Sequence, residues 1–588
     1  MRSTMVFMLI VVAIFLGYQQ FFMKPQQEQK QAQQTQQQAA TQQAATESQP
    51  PATVAPAAPA VATPEISAAT ETKTVVENAL YKIVFTNRGG QVEHWYLKDY
   101  YDSGGKKGGH NLDLVQPQAA ARFGQPLSLF TYEPALTTKL NQSLYQVTAD
   151  GGQPVSGEVA APGALTYHYS AGGLDVVKTF RFDATYAITV ETQVRRNGAP
   201  VRALVEWPAG LGDMEEFQQT SMMPSQTRTP SFFAWSMGGK ADTLAAAKVS
   251  GNNTQEAPYE YASVMDLYFA TAFLPDVPER TTVVTLHNTI DLPSNPSDPS
   301  SKKTPADVLG LAVGDTSGYT RLRLFAGPKA TDILSAVHAT SPSGKADGPS
   351  LDSLIQFGAW LGIIAKPLYL ILRFMILKGV PNWGWAIISF TIVFNLLLLP
   401  SRLMMTKQSL KMMRIQPKQD AIKKRYVHLK PTDPKRAEMN AELMELYKTE
   451  GVNMYGSCLP MLLQMPFFFA YFRVLQNAVE LRQSHWYWLP DLSQPDPTFI
   501  LPICVIITMF FTQYITPSPG MDPAQRRMMA IMMPVFFGFM LWHYPSGLAL
   551  YWFTGNLMML TMQIAINRSH IGREMHEIAA RRAAKGKR

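Results

Sequence analysis

Asn382–Arg402 reads NWGWAIISFTIVFNLLLLPSR, the densest apolar stretch in the chain, and a charged, Met-rich segment follows it directly to Tyr455. About 20 mostly apolar residues are what a helix needs to cross the hydrocarbon core of a bilayer. Four further apolar segments follow at 456–479, 498–516, 528–544 and 548–567, the last two separated only by Tyr544-Pro545-Ser546-Gly547. These segments predict a polytopic α-helical domain over 382–567. They contain almost no acidic residues, and intramembrane carboxylates are what an ion-coupled pump would show. Inverted repeats, the mark of many secondary transporters, are not evident either.

Upstream of that stretch, Leu354–Leu377 (LIQFGAWLGIIAKPLYLILRFMIL) is apolar but interrupted by Lys366-Pro367 and Arg373. Its charges and kink suit a headgroup region, so the segment is predicted to be an interfacial amphipathic helix and not a span. At the other end of the chain, Met5–Met23 (MVFMLIVVAIFLGYQQFFM) follows Arg2 and lacks small residues at a cleavage-like site. Residues 1–23 therefore read as an uncleaved anchor. The 24–74 segment, rich in Gln, Ala, Thr and Pro, holds too little apolar surface to offset its ordering entropy, and is predicted to be a disordered tether.

Between tether and helices, residues 75–340 change character. Tyr81–Thr86 (YKIVFT), Val176–Phe182 (VVKTFRF), Tyr186–Val194 (YAITVETQV), Thr281–Leu286 (TTVVTL) and Arg321–Phe325 (RLRLF) alternate apolar and polar residues between Gly, Pro, Asn and Asp. That pattern predicts a large all-β domain, most simply a sandwich. His94, His110, His168, His287 and His338 are scattered without ligand spacing, and no catalytic constellation is evident. The two cysteines, Cys458 and Cys504, lie in apolar segments, so neither a disulfide framework nor a metal cluster is expected. The reading calls for no cofactor and no enzymatic activity.

Six spans starting from a cytoplasmic N-terminus return the C-terminus to the cytoplasm. The loop 404–455 and the tail 568–588 are rich in Lys and Arg, whereas Glu480–Pro497 is close to neutral and carries Trp486, Tyr487 and Trp488. Both biases agree with that topology, and they account for the net charge of +8 without a nucleic-acid function.

Within the loop, Lys407, Lys411, Arg414 and Lys418 fall on one face of a predicted helix. Pro431 ends that helix, and Asp433-Pro434 starts a second one ending near Gly451, which makes a helical hairpin. The basic face serves either topology or docking of a ribosome, a targeting factor or anionic lipid. Thr391, Asn395 and Arg402 share one face at i, i+4 and i+11, and polar side chains within a span usually face protein or a wet cavity. Arg473, Asn477 and Glu480 form a second stripe, with Arg473 roughly 9 Å from the outer end of its span. Arg473 either snorkels outward toward Glu480 or faces an internal groove. Met461, Met465, Phe467–Phe469, Met532, Met533, Phe536, Phe537, Phe539 and Met540 are ordinary apolar filler for the most part, although flexible Met also suits a surface that accepts varied apolar segments.

Gln416-Pro417-Lys418, Leu446–Asn453 (LYKTEGVN), Leu463–Phe468 (LQMPFF), Val479–Gln483 (VELRQ), Asp491-Leu492-Ser493, Thr508–Phe511 (TMFF) and Tyr544–Tyr551 (YPSGLALY) together resemble the YidC/Oxa/Alb family of membrane protein insertases, in its Gram-negative form. The resemblance covers essentially the whole chain. It implies an N-terminal anchor plus a five-helix core around a hydrophilic groove, a periplasmic β-supersandwich, and a flexible cytoplasmic hairpin. It also implies nascent membrane proteins as clients, the Sec translocon as a partner, and the bacterial inner membrane as location. Thr391, Phe468 and Met540 match groove or slide positions by this resemblance. The family's groove arginine, five residues before the proline matching Pro400, is Asn395 here. Arg473 is the first candidate to supply the missing charge, and Arg402 the second.

Overall fold

The computed structural model describes residues 65–588 apart from 103–108, 156, 216, 219–226, 229, 296–297, 342–343, 359, 427–434, 453–458, 517–522 and 586–588. The expected anchor, most of the tether, Pro431, Asp433, Pro434 and Cys458 lie outside the described residues. Two compact units are distinguished, one of Met1–Ala62 with Met521–Met528 and one of Thr63–Gly520 with Met529–Arg588. Of the first, only Pro523–Met528 is described, as the opening turns of a helix.

Residues 73–328 form a β domain of three principal sheets. The largest runs, in spatial order, from Lys240–Ala245 and Phe232–Met237 through Tyr259–Met265, Phe269–Pro275, Tyr319–Pro328, Ala187–Arg196, Leu174–Phe182 and Gly163–Ala171 to Gln146–Ala149. A second sheet is built on Gln91–Tyr101, Tyr81–Thr86 and Lys73–Glu77, and a third on the long hairpin Thr281–Asn295 with Asp298–Asp315. Alternation along each strand sets one face inward. In Leu174–Phe182 the residues Val176, Phe180 and Phe182 are buried, and Phe85, Tyr167 and Phe180 meet as ring pairs between the first two sheets. Lys178 falls in the same inward register and is completely buried; its ammonium donates to the carbonyls of Gly89 (2.8 Å), Gly90 (2.7 Å) and Leu127 (2.6 Å). A buried cation is tolerated only with such partners.

The expected tether is ordered at its end. Ile66 and Ser170 exchange backbone hydrogen bonds at 2.7 and 2.8 Å, and Ala68 donates to the carbonyl of Leu144, so residues 65–72 belong to the β domain. Within the domain lie α1 (Pro117–Phe123) and α2 (Pro134–Gln142), and α3 (Thr331–Ala336) follows its last strand.

The rest of the chain is helical: α4 (Gly362–Leu377), α5 (Trp383–Leu397), α6 (Leu399–Arg425), α7 (Lys435–Thr449), α8 (Leu459–Asn477), α9 (Ile500–Ile515), α10 (Pro523–Leu541), α11 (Ser546–Arg568) and α12 (His570–Lys585). Helix α4 is shorter than expected. Leu351–Leu354 is a separate 3-10 turn, and Gly358 at φ 86° breaks the chain before Gly362. Its two charges, read from the sequence as suited to a headgroup region, are each paired. Lys366 pairs with Asp352 at 2.6 Å and Arg373 with Asp332 at 3.1 Å, both carboxylates on or beside the β domain.

Asn382 caps α5, its side-chain oxygen accepting from the backbone N–H of Trp385 at 3.1 Å. The segment 382–403 does not continue as one straight helix. Pro400 cannot donate to the carbonyl four residues back, and α5 and α6 meet at a 50° bend. Among the described residues no single helix is long and apolar enough to cross a membrane, and α5 with α6 reaches that length only as a bent pair. Helix α5 packs on α11, α11 on α9, and α8 on α4. Gly384 and Gly538 permit close approaches, since a Cβ there would lie 2.2 Å from Trp486 Cδ1 and from Ile506 Cγ1 respectively.

Candidate functional site

The buried polar groups of α5 define the site. Ala386, Ile387, Phe390, Thr391 and Asn395 lie on the helix face turned toward protein, so the two polar residues are carried inward with the apolar ones. Thr391 is fully buried and Asn395 is 5% exposed. Thr391 Oγ1 donates to the carbonyl of Ile387 (2.6 Å), and Asn395 Nδ2 donates to that of Thr391 (2.8 Å). Those bonds satisfy the donors locally and leave Asn395 Oδ1 facing away from its own helix. Arg402, on the first turn of α6, reaches that oxygen with Nη2 at 3.5 Å across the bend. Its Nε is buried without a hydrogen-bond partner among the described residues, and no described acidic side chain forms an ion pair with it.

Helices α8 and α11 supply the opposite wall. Gly555 of α11 stands across from both polar residues: a Cβ there would be 3.9 Å from Thr391 Cγ2 and 4.0 Å from Asn395 Nδ2. Tyr471 of α8 stacks on Phe390 (5.2 Å) and against Tyr551 (4.5 Å), and its hydroxyl is buried without a partner among the described residues. Toward the side, Phe468 stacks on Trp552 (5.5 Å), which meets Phe537 of α10 at 5.2 Å, and Met540 is half-buried against the same apolar core.

Arg473 is placed elsewhere. It is half-buried on α8, its Nη1 donates to Gln476 Oε1 at 3.3 Å, and no described contact joins it to Asn395. It does not pair with Glu480, whose carboxylate accepts the hydroxyl of Tyr369 from α4. Asn477 donates to the carbonyl of Arg473 at 2.9 Å, but α8 ends there and Glu480 lies in the 3-10 turn Val479–Leu481, so of the stripe read from the sequence only Arg473 and Asn477 share the helix.

On α6, Lys407, Lys411, Arg414 and Lys418 are all exposed, but two are already engaged. Arg414 Nε donates to Glu574 of α12 at 2.8 Å, and Lys418 pairs with Glu450 at 2.5 Å. The tail is a helix laid on α6, with Ile571, Met575 and Ile578 covering Leu410 and Met413. Sequence reasoning missed this pairing, although Ile571, Met575 and Ile578 at i, i+4 and i+7 carry the signal.

Known proteins match along most of the chain. The family described as 60Kd inner membrane protein covers residues 375–573, and that described as YidC periplasmic domain covers residues 73–371. A membrane protein insertase YidC of Geobacter sulfurreducens is 31% identical over 508 residues, 83% of this chain and 85% of the relative. The chain belongs to the YidC family of membrane protein insertases. Another relative of the same name, from Paraburkholderia phymatum, is 32% identical over 477 residues, 78% of this chain and 80% of the relative. Among solved structures, an active YidC insertase with its first transmembrane domain resolved is 18% identical with a TM-score of 0.33, covering 85% of this chain and 94% of that one. YidC from Thermotoga maritima is 15% identical with a TM-score of 0.27, covering 85% and 99%. Membership places the protein at the inner membrane and in a family of insertases, not of enzymes.

Proposed function

We propose that the polar row of α5 lines a wet groove in which nascent membrane proteins are received, and that Arg402 supplies its positive charge. The observation that carries this reading is the position of Arg402, with Nη2 on Asn395 Oδ1, a buried Nε without a described partner, and no acidic partner among the described residues. A polar or acidic client tail entering the groove loses less hydration than it would in lipid. Arg402 offers it a charge-assisted hydrogen bond, and Asn395 keeps the guanidinium oriented. Residual hydration weakens that attraction enough for release. The client's apolar helix then leaves past Phe468 and Met540 into lipid, driven by burial of about 20 apolar residues. The membrane potential adds about 2.3 kcal/mol per charge per 100 mV for acidic residues carried outward. Arg473, further out on α8, meets the tail after it has passed Arg402.

In this reading the chain spans the membrane six times with both termini cytoplasmic, residues 75–340 are periplasmic, and α4 lies in the outer interface. Supporting that placement, Ile363, Phe374 and Leu377 of α4 are exposed while Ala365, Leu368, Tyr369 and Leu372 are buried. The exposed amines of Lys407 and Lys411, with Arg414 and Lys418, form a face for a ribosome or targeting factor and for anionic lipid. The Sec translocon is a further partner in this scheme. No nucleotide hydrolysis and no cofactor enter the scheme.

A site-specific crosslinking scan tests the groove directly. Photoreactive side chains at Thr391, Asn395, Phe468 and Arg473 should all capture a stalled acidic-tailed client. Capture at Phe468 alone would sink the wet groove and leave only a lipid-facing slide.

A further inference from the structure

Tyr471 carries a hydroxyl that its own packing does not use. On α8 it is 2% exposed, its ring stacked on Phe390 of α5 at 5.2 Å and 8°, and tilted against Tyr551 of α11 at 4.5 Å. Those contacts are made by the ring and would be made equally by phenylalanine. The oxygen is buried without a hydrogen-bond partner among the described residues. Threonine hydroxyls in the same helical core donate to the carbonyl one turn back: Thr391 to Ile387 (2.6 Å), Thr508 to Cys504 (2.7 Å) and Thr554 to Leu550 (2.8 Å). A phenol, carried on a ring, stands too far from its own backbone for that local bond. A buried hydroxyl left unbonded is costly, and a reason for it must lie elsewhere.

Its position supplies one. Phe390 precedes Thr391 on α5, and Tyr551 lies one turn before Gly555, the residue of α11 that faces Thr391 and Asn395. Tyr471 therefore closes the polar row at the end remote from Arg402, with Phe390 roughly 7.5 Å along α5 from Asn395 by helical rise. Within the row, the Thr391 hydroxyl and Asn395 Nδ2 donate to their own helix, and Asn395 Oδ1 accepts from Arg402. Arg402 Nε and the Tyr471 hydroxyl stay unengaged, and both are donors. One belongs to a cation at the inner end and the other to a neutral group at the outer end. A row that offers donors at both ends fits an occupant rich in acceptors, and a carboxylate is the strongest acceptor a polypeptide tail carries.

We propose that Tyr471 is a specificity-determining residue of the groove, whose hydroxyl donates to a carboxylate of the client tail once that tail has moved outward past Arg402. This rests on the insertase reading of the groove. The neutral phenol holds the carboxylate more weakly than a second cation would, so the tail is received there without being trapped. Its bond is made only while a client is present, and the resting protein carries the hydroxyl unbonded.

The test uses full-length protein in proteoliposomes, comparing wild type with Tyr471→Phe, which keeps both ring contacts and removes only the oxygen. Single-turnover insertion is measured for two clients that differ only in the tail, one carrying aspartates and the other alanines in their place. The melting transition is recorded alongside. Tyr471→Phe should melt at or above the wild-type temperature, because a buried hydroxyl without a partner is removed. It should insert the aspartate-tailed client about tenfold more slowly, the weight of one charge-assisted hydrogen bond, and the alanine-tailed client within about twofold of wild type. Equal rates for wild type and variant on the aspartate-tailed client would overturn the proposal, the mark of a hydroxyl that serves only bound water. So would equal slowing of both clients, whether or not melting falls, the mark of a packing role. A wild-type protein that inserted neither client would refute the insertase reading itself, whichever result Tyr471→Phe gave.

Discussion

Arg402 Nη2 lies 3.5 Å from Asn395 Oδ1, although the two residues stand on different helices with a 50° bend between them. On a continuous helix they would sit seven residues apart on one face; the bend at Pro400 keeps that face shared while turning α6 away. Asn395 thus orients a cation that it cannot itself provide. Asn395→Leu should leave the protein folded but slow the insertion of an acidic-tailed client relative to a neutral-tailed one, by about tenfold if one charged hydrogen bond is lost. Paired clients differing only in the tail give the ratio directly. Equal slowing of both clients would count against the orienting role.

Lys178 should be among the most costly single residues of the β domain. Lys178→Met removes a buried cation and leaves the carbonyls of Gly89, Gly90 and Leu127 without that donor. Breaking such a buried polar cluster from one side costs about 3–5 kcal/mol. Denaturant titration followed by the near-ultraviolet signal of Trp95 and Trp207, both fully buried, reports it. A loss below about 1 kcal/mol would show that water replaces the lysine.

Glu206 gives the β domain a pH dependence of unusual sign. Burial pushes its carboxyl up to about 7 from 4.5, with the hydrogen bond from Ser128 Oγ pulling the other way. The folded chain therefore holds a proton that the unfolded chain releases. This group's contribution is fully present below about 4.5 and is lost as pH rises through about 7, at most about 3 kcal/mol. Melting of the wild type should fall across that window relative to Glu206→Gln. Parallel pH profiles for the two proteins would contradict the assignment.

Gly384 is a packing prediction within the helical domain. Its Cβ would lie 2.2 Å from Trp486 Cδ1, and that indole is buried in the turn that faces α5. Gly384→Ala gains about 1 kcal/mol of helix propensity and should still be destabilising, because overpacking costs about 1–3 kcal/mol and displaces the ring. Tryptophan emission should shift red with the lowered melting transition. An unchanged spectrum would mean that the ring moves aside freely.

Much of the fold was legible because periodicity is local. Tyr81–Thr86 was readable to the residue, and Val176–Phe182 lies inside the observed strand. What was not legible depended on partners distant in sequence. VVKTFRF puts Lys178 on the inward face, but only the carbonyls of Gly89, Gly90 and Leu127, brought there by folding, explain a lysine inside. The partners of Lys366 and Arg373 were not legible because Asp352 and Asp332 lie outside the helix they interrupt. In the candidate site, Thr391, Asn395 and Arg402 were legible as one face. Which arginine touches Asn395 was not legible, since helical spacing places a side chain around an axis but does not say which neighbouring helix it meets; Arg402 reaches Asn395, and Arg473 donates to Gln476.

Arg402 carries the charge of the proposed groove. The most direct measurement is insertion of an acidic-tailed client in cells depleted of the native protein and supplied with Arg402→Ala, Arg473→Ala, or Asn395→Arg combined with Arg402→Ala. Arg402→Ala should fail, Arg473→Ala should insert nearly as well as wild type, and the combined variant should recover. Normal insertion by Arg402→Ala together with failure of Arg473→Ala would contradict that placement of the charge.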